Sequence, residues 1–253
     1  MMRRVMRGLR AAADLLLPRA CIVCGHKLKL DESFICTACL DDIPLTRYHL
    51  LRHNPMADRL NELIQKHLEV LWDSGRMISE RYAYATALFF YDSEAGYRHI
   101  PYQIKYHGNI SAGRYFGKML GQETAKAPWL HDVDAVIPVP LHWRRKWTRG
   151  YNQAEIIAEE VSKVLGVPMR TDLLKRKRHT RTQTRLEISE KAANVEGAFI
   201  SSAGDCSGLK HILLIDDVFT TGSTLHACFV ALRSVFPPCV RISVATLAFV
   251  GGG

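Results

Sequence analysis

The sequence of 253 residues has no apolar run long enough to cross a lipid bilayer, so a membrane-spanning helix is not expected. It also lacks the Gly-Lys-Ser/Thr of a nucleotide-binding P-loop and the glycine triplet of a dinucleotide-binding turn, which excludes two common ways of holding phosphate. Acidic residues are in deficit, because 25 Asp and Glu stand against 34 Lys and Arg, for a formal net charge of +9. The expected partners are therefore polyanions, either phosphorylated metabolites or nucleic acid.

Cysteines are too few and too unevenly spaced to indicate a disulfide framework. Seven are present, an odd number, and four of them occur in two C-x-x-C pairs, which favours metal binding and free thiols in a reducing cytoplasm. The basic amino-terminal run and its short apolar patch resemble a secretory signal, but Asp14 interrupts the patch and no small-residue cleavage site follows. A short amphipathic helix that ends at Pro18 is predicted there instead, in a soluble protein.

The two cysteine pairs lie close together in the run CIVCGHKLKLDESFICTAC, residues 21–39. Each pair can form a tight turn, helped after the first pair by Gly25, and the four thiolates can close a tetrahedron around zinc. Because every ligand is then a thiolate, no coordination position stays open, and the zinc is expected to be structural. His26 is either an alternative ligand or a spectator. The predicted zinc ligands are Cys21, Cys24, Cys36 and Cys39.

The central motif of the chain is HILLIDDVFTTGSTL, residues 211–225. An apolar, β-favouring run from Ile212 to Ile215 predicts a buried parallel strand that ends at Asp216 and Asp217. A turn rich in hydroxyl groups follows, and an apolar pattern with helical spacing covers residues 225–235. A turn between the carboxyl end of a strand and the amino end of a helix is where α/β sheets bind anions.

The residue types in this motif favour a phosphorylated sugar. Backbone N–H groups and hydroxyls can bind a phosphate with help from the helix dipole, and Gly222 admits close approach or a positive φ. Ionised carboxylates would repel that phosphate and accept hydrogen bonds from vicinal sugar hydroxyls instead. A ribose 5-phosphate satisfies both halves, whereas the simpler alternative is two acids that cap a turn of an ordinary Rossmann-like domain. The candidate phosphate-binding residues are Thr220, Thr221, Gly222, Ser223 and Thr224.

A basic loop, LHWRRKWTRGYNQ at residues 141–153, follows a predicted strand over residues 133–140. Arginines in the loop after a neighbouring parallel strand are placed to bind a second phosphate group, and pyrophosphate is the obvious candidate. A solvated basic loop is the alternative. Its aromatic residues either stack bases or anchor the loop by packing. The candidate arginines are Arg144, Arg145 and Arg149, and the aromatic residues are Trp143, Trp147 and Tyr151.

A second basic segment, residues 170–194, has many cations and few apolar residues. It is predicted to lie outside the core and to order over a bound polyanion. The order of strands, loops and helices in the rest of the chain predicts a parallel α/β sheet. The remaining predicted elements are strands at 82–91, 198–200 and 240–250, helices at 95–106, 111–126 and 154–165, and a connector helix with an apolar face at residues 60–71.

Taken in order, these motifs resemble the ComF family of competence-associated proteins, and LLIDDVFTTGST resembles the phosphoribosyl pyrophosphate (PRPP) motif of type I phosphoribosyltransferases. Lys191 departs from the family, which more usually has arginine there, and residues 54–81 are longer and more helical than the family's aromatic-rich piece. The other matching motifs are the C-x-x-C pairs, KYHG at 105–108, IPVPL at 137–141, RGYNQAE at 149–155, Thr182, Gln183, Leu186 and EKAANVEGAF at 190–199.

The resemblance implies an α/β, parallel-sheet type I phosphoribosyltransferase fold with a small four-cysteine zinc-binding module. The expected parts are an amino-terminal helix and zinc-binding module at 1–45, a helical connector at 46–81 and the phosphoribosyltransferase-like domain at 82–253. It also implies PRPP bound with Mg²⁺ and a part in natural transformation, the handling of imported single-stranded DNA in the bacterial cytoplasm. The acceptor of the phosphoribosyl group is not implied.

Two functions fit these expectations. One is a phosphoribosyltransferase in which Asp216 and Asp217 hold the ribose hydroxyls as catalytic residues while a flexible loop closes over the site. The other is a non-catalytic competence factor that binds single-stranded DNA or a nucleotide through the same pocket and basic loops, beside other competence proteins. The loop residues expected to act in closure are Arg178, Arg181, Gln183 and Lys191.

Overall fold

The structure is a computed structural model that describes residues 18–76, 78–177, 197–202 and 208–251. The helix predicted before Pro18 lies outside the described residues, and so do the four loop residues expected to act in closure. Within the described ranges, no helix is both long and apolar enough to pass through a membrane.

The core of the fold is a four-stranded, fully parallel sheet with the strand order β1-β6-β5-β2. The strands are nearly continuous apolar runs because helices cover both faces of the sheet. The predicted parallel α/β fold is confirmed, with the central motif on an interior strand. The bounds are β1 (Ala85–Phe90), β2 (Ala135–Pro138), β5 (His211–Phe219) and β6 (Arg241–Phe249).

Helices α2 and α7 pack on one face of the sheet, and helices α3, α4 and α6 pack on the other. The predicted helices at 95–106, 111–126, 154–165 and 225–235 are confirmed within a few residues of their expected ends. The helices of the described part are α1 (Thr37–Asp41), α2 (Pro55–Asp73), α3 (His99–Tyr106), α4 (Ile110–Thr124), α5 (Trp143–Arg149), α6 (Gln153–Leu165) and α7 (Ser223–Arg233).

The connector helix α2 packs on the main domain beside β1. Its amino end is capped by Asn54, which accepts from the Ala57 N–H at 3.0 Å and donates to the Ala85 carbonyl at 2.9 Å. Two turns later, the Asn61 amide donates to and accepts from the backbone of Ala83 at 2.8 and 2.9 Å. The apolar face predicted from its spacing is buried against the sheet, so the helix is fixed to this domain along its length.

Two predictions about the basic segments are wrong. The predicted loop 141–153 contains helix α5, because Arg and Lys are good helix formers and Gly150, with φ +80°, ends the helix. The segment 170–194 does not lie wholly outside the core, because Leu173 and Leu174 are buried. Strand β3 (Leu174–Arg176) pairs antiparallel with β4 (Phe199–Ser201), and alternation along a strand lets one apolar residue face inward between charged neighbours.

Candidate functional site

Asp216 and Asp217 lie near the carboxyl end of β5, which continues to Phe219 and is therefore longer than predicted. Consecutive strand residues point to opposite faces, so the two carboxylates have different surroundings. Asp217 is only 4% exposed, whereas Asp216 is partly open to solvent. The Asp217 N–H donates to Asp216 Oδ1 at 2.8 Å, which fixes the orientation of the more open carboxyl.

The buried carboxylate of Asp217 faces a cation of the protein. Lys105 Nζ, at the end of α3, lies 2.9 Å from Asp217 Oδ2, and the two side chains are 27% and 5% exposed. Burial alone would lower the pKa of Lys105, but the attraction of Asp217 and then of Asp216 outweighs it and raises that pKa. Asp217 is therefore held by an ion pair, and Asp216 is the acid with direct access to the site.

The carboxyl of Asp216 titrates far above its ordinary range. Burial, followed by repulsion from Asp217, raises the pKa of Asp216 to about 8, although the Asp217 N–H and Lys105 oppose the shift. A protonated carboxyl offers one donor as well as acceptors, so Asp216 can exchange hydrogen bonds with a hydroxyl in both directions. Buried acids with strongly shifted pKa values concentrate at ligand sites.

The turn after β5 has the backbone form that was predicted for a phosphate site. Gly222 adopts φ +85° immediately before α7, and a Cβ there would lie 2.7 Å from Phe219 Cζ. The hydroxyls of Thr221 and Ser223 lie 2.9 Å apart at the surface of the turn. Thr220 and Thr221 are exposed, and the N–H groups at the start of α7 carry the positive end of its dipole.

A cavity of about 480 Å³, lined by several cationic side chains, lies between α3 and α5. Arg145 and Arg149, both predicted to bind pyrophosphate, line it together with Lys105, and no acidic residue is among its described lining residues. The guanidinium of Arg149 lies 5.0 Å from the ring centroid of Tyr106, which holds it at the cavity wall. Arg144 lies in α5 with the other two arginines. The residues that complete the lining are Tyr106, Gly108, Thr148 and Tyr151.

The aromatic residues of the segment 141–153 differ in how they pack. The Tyr151 hydroxyl donates to the Ile104 carbonyl, so this residue anchors the segment to α3. Trp147 is 87% exposed and Trp143 is 48% exposed, so neither indole packs as a core anchor. Exposed indoles beside cations form a surface on which an aromatic ring can stack.

Two further cations interact with the acids: the sequence did not single out Lys105 as a ligand-binding residue, whereas Arg176 lies in the basic segment predicted to order over a bound polyanion. Lys105 belongs to the KYHG motif, yet a lysine at the end of a helix is ordinary, and nothing local indicates that it reaches β5. Arg176 lies 5.2 Å from the Phe199 ring centroid, and burial, followed by repulsion from Arg145, lowers its pKa, while Cys228 and Asp216 oppose the shift. Arg176 therefore interacts electrostatically with both Arg145 and Asp216.

The four predicted zinc ligands come together at a separate centre. Their sulfur atoms all lie within 4.8 Å of one another, and Cys24 Sγ is 3.8 Å from Cys36 Sγ. Four thiolates at about 2.3 Å from zinc would have sulfur–sulfur separations of about 3.8 Å in a tetrahedron, so the cluster fits this metal. Burial opposes ionisation of Cys21, but N–H groups of Cys24, Cys36 and Val23 outweigh it and lower the Cys21 pKa to about 7.

A buried carboxylate orients the second cysteine turn of this module. Glu32 accepts from the N–H of Lys29 at 2.7 Å and from the N–H and hydroxyl of Thr37 at 2.8 and 2.9 Å. His26 Nδ1 lies 3.3 Å from Cys24 Sγ, so its ring is a hydrogen-bond partner of a ligand sulfur. The module meets the main domain at Tyr97, whose hydroxyl donates to the Cys39 carbonyl at 3.0 Å.

Residues 152–249 match the family model described as phosphoribosyl transferase domain. Competence protein F of Haemophilus influenzae is 32% identical over 137 residues, which are 53% of this chain and 60% of that protein. DNA utilization protein YhgH of Salmonella typhimurium is 31% identical over 129 residues, 50% of this chain and 56% of that protein. Competence protein ComFC of Bacillus subtilis is 33% identical over 91 residues, 36% of this chain and 35% of that protein.

The chain thus spans about half the length, or less, of the curated relatives described here. Among solved structures, glutamine PRPP amidotransferase from B. subtilis matches with a TM-score of 0.36 and 19% identity, over 54% of this chain and 26% of that one. Orotate phosphoribosyltransferase from Aeropyrum pernix matches with a TM-score of 0.35 and 17% identity, over 74% of this chain and 82% of that one. Both overall similarities are low.

Proposed function

We propose that this chain, a member of the ComF family by its motifs and its relatives, binds PRPP or a related ribose 5-phosphate compound with Mg²⁺ and acts as a phosphoribosyltransferase. The observation that supports the proposal is the position of Lys105, which pairs with Asp217 near the carboxyl end of β5 and also lines the cavity of Arg145 and Arg149. The acids therefore adjoin a cationic cavity on one side, and the glycine turn before α7 follows them in the chain. The same proposal includes a location in the cytoplasm and a role in DNA uptake.

The ribose lies over Asp216, with its 5-phosphate in the turn at residues 220–224. The turn offers hydroxyls and N–H groups at the positive end of a helix of 11 residues, which suits a dianion. Asp216 and, once it is released from its ion pair, Asp217 bind the two ring hydroxyls. This arrangement keeps both carboxyls away from the phosphate that they would repel.

The diphosphate occupies the cavity lined by Lys105, Arg145 and Arg149. Arginine forks bind phosphate oxygens in pairs, and a cavity without acidic residues among its described lining imposes no repulsion on the anion. The diphosphate oxygens and the Asp216 carboxyl are hard oxygen donors of the kind that Mg²⁺ prefers, so the residues present fit this ion. When bound, Mg²⁺ would neutralise charge on the diphosphate.

In the transfer step, the bond between the anomeric carbon and a diphosphate oxygen breaks, and its electron pair leaves with the diphosphate. A lone pair of the acceptor forms the new bond to the anomeric carbon, and any proton on the acceptor atom passes to a base or to solvent. Positive charge builds on the ring during this step and negative charge builds on the leaving diphosphate. The nearby acids stabilise the first and the cavity cations stabilise the second.

The proposal is tested by following pyrophosphate release from PRPP with Mg²⁺ across a panel of bases, amines and oligonucleotides. We expect release with at least one acceptor, and loss of that release in the double variant Asp216→Asn/Asp217→Asn. Calorimetric titration with PRPP and ribose 5-phosphate measures binding separately from turnover. The enzyme proposal fails if no acceptor supports release, and the ligand proposal fails if neither compound binds.

A second candidate function is non-catalytic binding of single-stranded DNA or a nucleotide. One observation favours it: the exposed indoles of Trp143 and Trp147 lie on the same short helix as Arg145 and Lys146, which are also exposed. Stacking on aromatic rings beside cations is how many proteins hold single strands without reading sequence. Other competence proteins would be its partners in this role.

This candidate predicts DNA binding that weakens steeply as salt rises. Trp147→Ala should weaken binding of a single-stranded oligonucleotide by about tenfold, since one stacked base contributes about 1–3 kcal/mol. Trp72→Ala, which removes a partly exposed indole on α2, is the matched control. DNA binding that survives Asp216→Asn/Asp217→Asn, with no pyrophosphate release from wild type, would favour this function over the enzyme.

A further inference from the structure

We propose that Lys105, which joins the acid pair to the arginine-lined cavity, contributes its own share to the preference of this site for a diphosphorylated ribose over ribose 5-phosphate. The inference rests on the proposed function and extends it. That proposal places the diphosphate in the cavity but does not say which contact makes PRPP bind more tightly than ribose 5-phosphate. It starts from the position of one ammonium group between two subsites. Lys105 Nζ lies 2.9 Å from the Asp217 carboxylate, and the same side chain lines the cavity that holds Arg145 and Arg149.

The fold fixes this position from two directions. Helix α3 ends beside Lys105, with Gly108 at φ +66° turning the chain away after it. The Tyr151 hydroxyl donates to the Ile104 carbonyl, and the Arg149 guanidinium lies on the ring of Tyr106. The residues on either side of Lys105 are therefore tied to the segment that carries the arginines, while Lys105 itself reaches β5.

The Lys105 ammonium group pairs with the Asp217 carboxylate. An ammonium group has three donors, so it can hold a carboxylate and a phosphate oxygen at the same time or pass from one to the other. In PRPP the diphosphate is attached to the ring carbon next to one of the two hydroxyl-bearing carbons. A cation between the acid that serves the hydroxyls and the arginines that serve the diphosphate therefore lies beside the bond that breaks.

Two consequences separate this role from simple packing. Removal of the ammonium takes away a contact that PRPP makes and ribose 5-phosphate does not, so the affinity for PRPP should fall more than the affinity for ribose 5-phosphate. Removal also takes a positive charge from the surroundings of Asp216. The charged or titratable groups that face Asp216 are Asp217 on β5, Lys105 on α3, Arg176 on β3 and Cys228 on α7.

The test measures dissociation constants for PRPP and ribose 5-phosphate by calorimetry, with Mg²⁺ present, for wild type, Lys105→Met and Lys105→Arg. Lys105→Met should lower the preference for PRPP by about tenfold or more, because hydrogen bonds to charged groups are typically worth about one decade in affinity or more. Lys105→Arg, which keeps the charge, should retain most of the preference. Lys118→Met, at an exposed position of α4, is the matched control and should change neither constant.

The pH dependence of ribose 5-phosphate binding is the second readout. Because Lys105 opposes the rise in the Asp216 pKa, its loss should move the midpoint of that dependence to higher pH. A Lys105→Met protein that folds, binds both ligands with an unchanged ratio and keeps its midpoint overturns the inference alone. If Lys105→Met does not fold, an unchanged ratio in Lys105→Gln overturns it. A wild-type protein that binds neither ligand overturns the proposed function together with the inference.

Discussion

The four-cysteine module and the site on β5 arrange their charged groups in opposite ways. In the module, four cysteine sulfur atoms lie within 4.8 Å of one another, N–H groups lower the pKa of Cys21, and Glu32 has a donor for each of its oxygens. On β5, two acids lie side by side, the pKa of Asp216 is raised to about 8, and cations gather without forming a closed set. The first arrangement is complete once a metal is bound. In the second, repulsion between the two acids is an unfavourable electrostatic free energy that a bound ligand can lower.

A cluster of charged groups that stabilises a fold thus differs from one that is arranged to bind a ligand. A closed cluster contributes its binding free energy directly to folding. An open cluster of like charges destabilises the protein when no ligand is bound, and ligand binding relieves this destabilisation. Variants in the two regions should therefore affect stability in different amounts and with different dependence on pH.

The largest effect should come from breaking the closed cluster. Cys21→Ser or Cys36→Ser should reduce zinc content from one per chain towards zero and unfold the module, since structural zinc typically contributes about 10 kcal/mol or more in small domains. Atomic emission measures the metal and thermal unfolding measures the stability. Cys239→Ser, at an exposed cysteine outside the cluster, is the control. Full stability of a metal-free protein would contradict the prediction.

The next effect distinguishes the two acids of the open cluster. Asp217→Asn leaves the Lys105 ammonium largely buried without its carboxylate, and breaking such a pair should lower the unfolding free energy by about 3 kcal/mol. Asp216→Asn removes a carboxyl that is costly to ionise, so it should be neutral or stabilising at neutral pH. Urea unfolding of both variants measures the difference. Equal destabilisation by the two changes would show that the ion pair is not the distinguishing feature.

A smaller effect concerns the phosphate turn. Gly222→Ala should destabilise the protein by about 1–3 kcal/mol, because alanine is strained at φ +85° and its Cβ would meet Phe219 at 2.7 Å. Gly75→Ala is a matched control at φ +84° with no atom within 4 Å of the added Cβ. The difference between the two variants isolates the contact with Phe219. Gly222→Ala should also weaken the binding of ribose 5-phosphate, whereas Gly75→Ala should not. Equally weakened binding in both variants would contradict this prediction.

The last comparison concerns the pH dependence of stability. Because the pKa of Asp216 in the folded protein is raised from 3.8 to about 8, its neutral form is favoured by folding, and that stability is present below pH 3.8. It is lost as pH rises towards about 8, so wild type should lose stability relative to Asp216→Asn over this range. Thermal midpoints of both proteins between these pH values test this. Parallel curves would mean that Asp216 titrates normally.

The two regions also differ in how far the sequence could predict them. The zinc cluster was predicted with its ligands because all four lie within residues 21–39, where spacing alone brings the sulfur atoms together. The strand, acids and turn around Asp216 were predicted for the same reason. Lys105 was not, because its partner Asp217 is distant in sequence and only the packing of α3 on the sheet brings the two together.

The errors in the basic segments have a similar cause. Charge suggested that residues 170–194 lie outside the core, but two adjacent leucines are buried there, and the second of them begins the strand that ends at Arg176. The short helix α5 was missed because its charged residues have no apolar period from which a helix can be predicted. The roles of the individual site residues remain predictions that binding measurements must test.

Arg59 of the connector helix donates to the Thr220 carbonyl at 3.1 Å and to the Val250 carbonyl at 3.3 Å. The part of the chain that differs most from the ComF pattern thus holds the backbone at the first residue of the phosphate turn. If the turn binds a sugar phosphate as proposed, changes in the length or angle of that helix would alter the affinity for this ligand, although no group in contact with it would change. Ligand affinity would then depend on a helix that contains none of the recognised motifs.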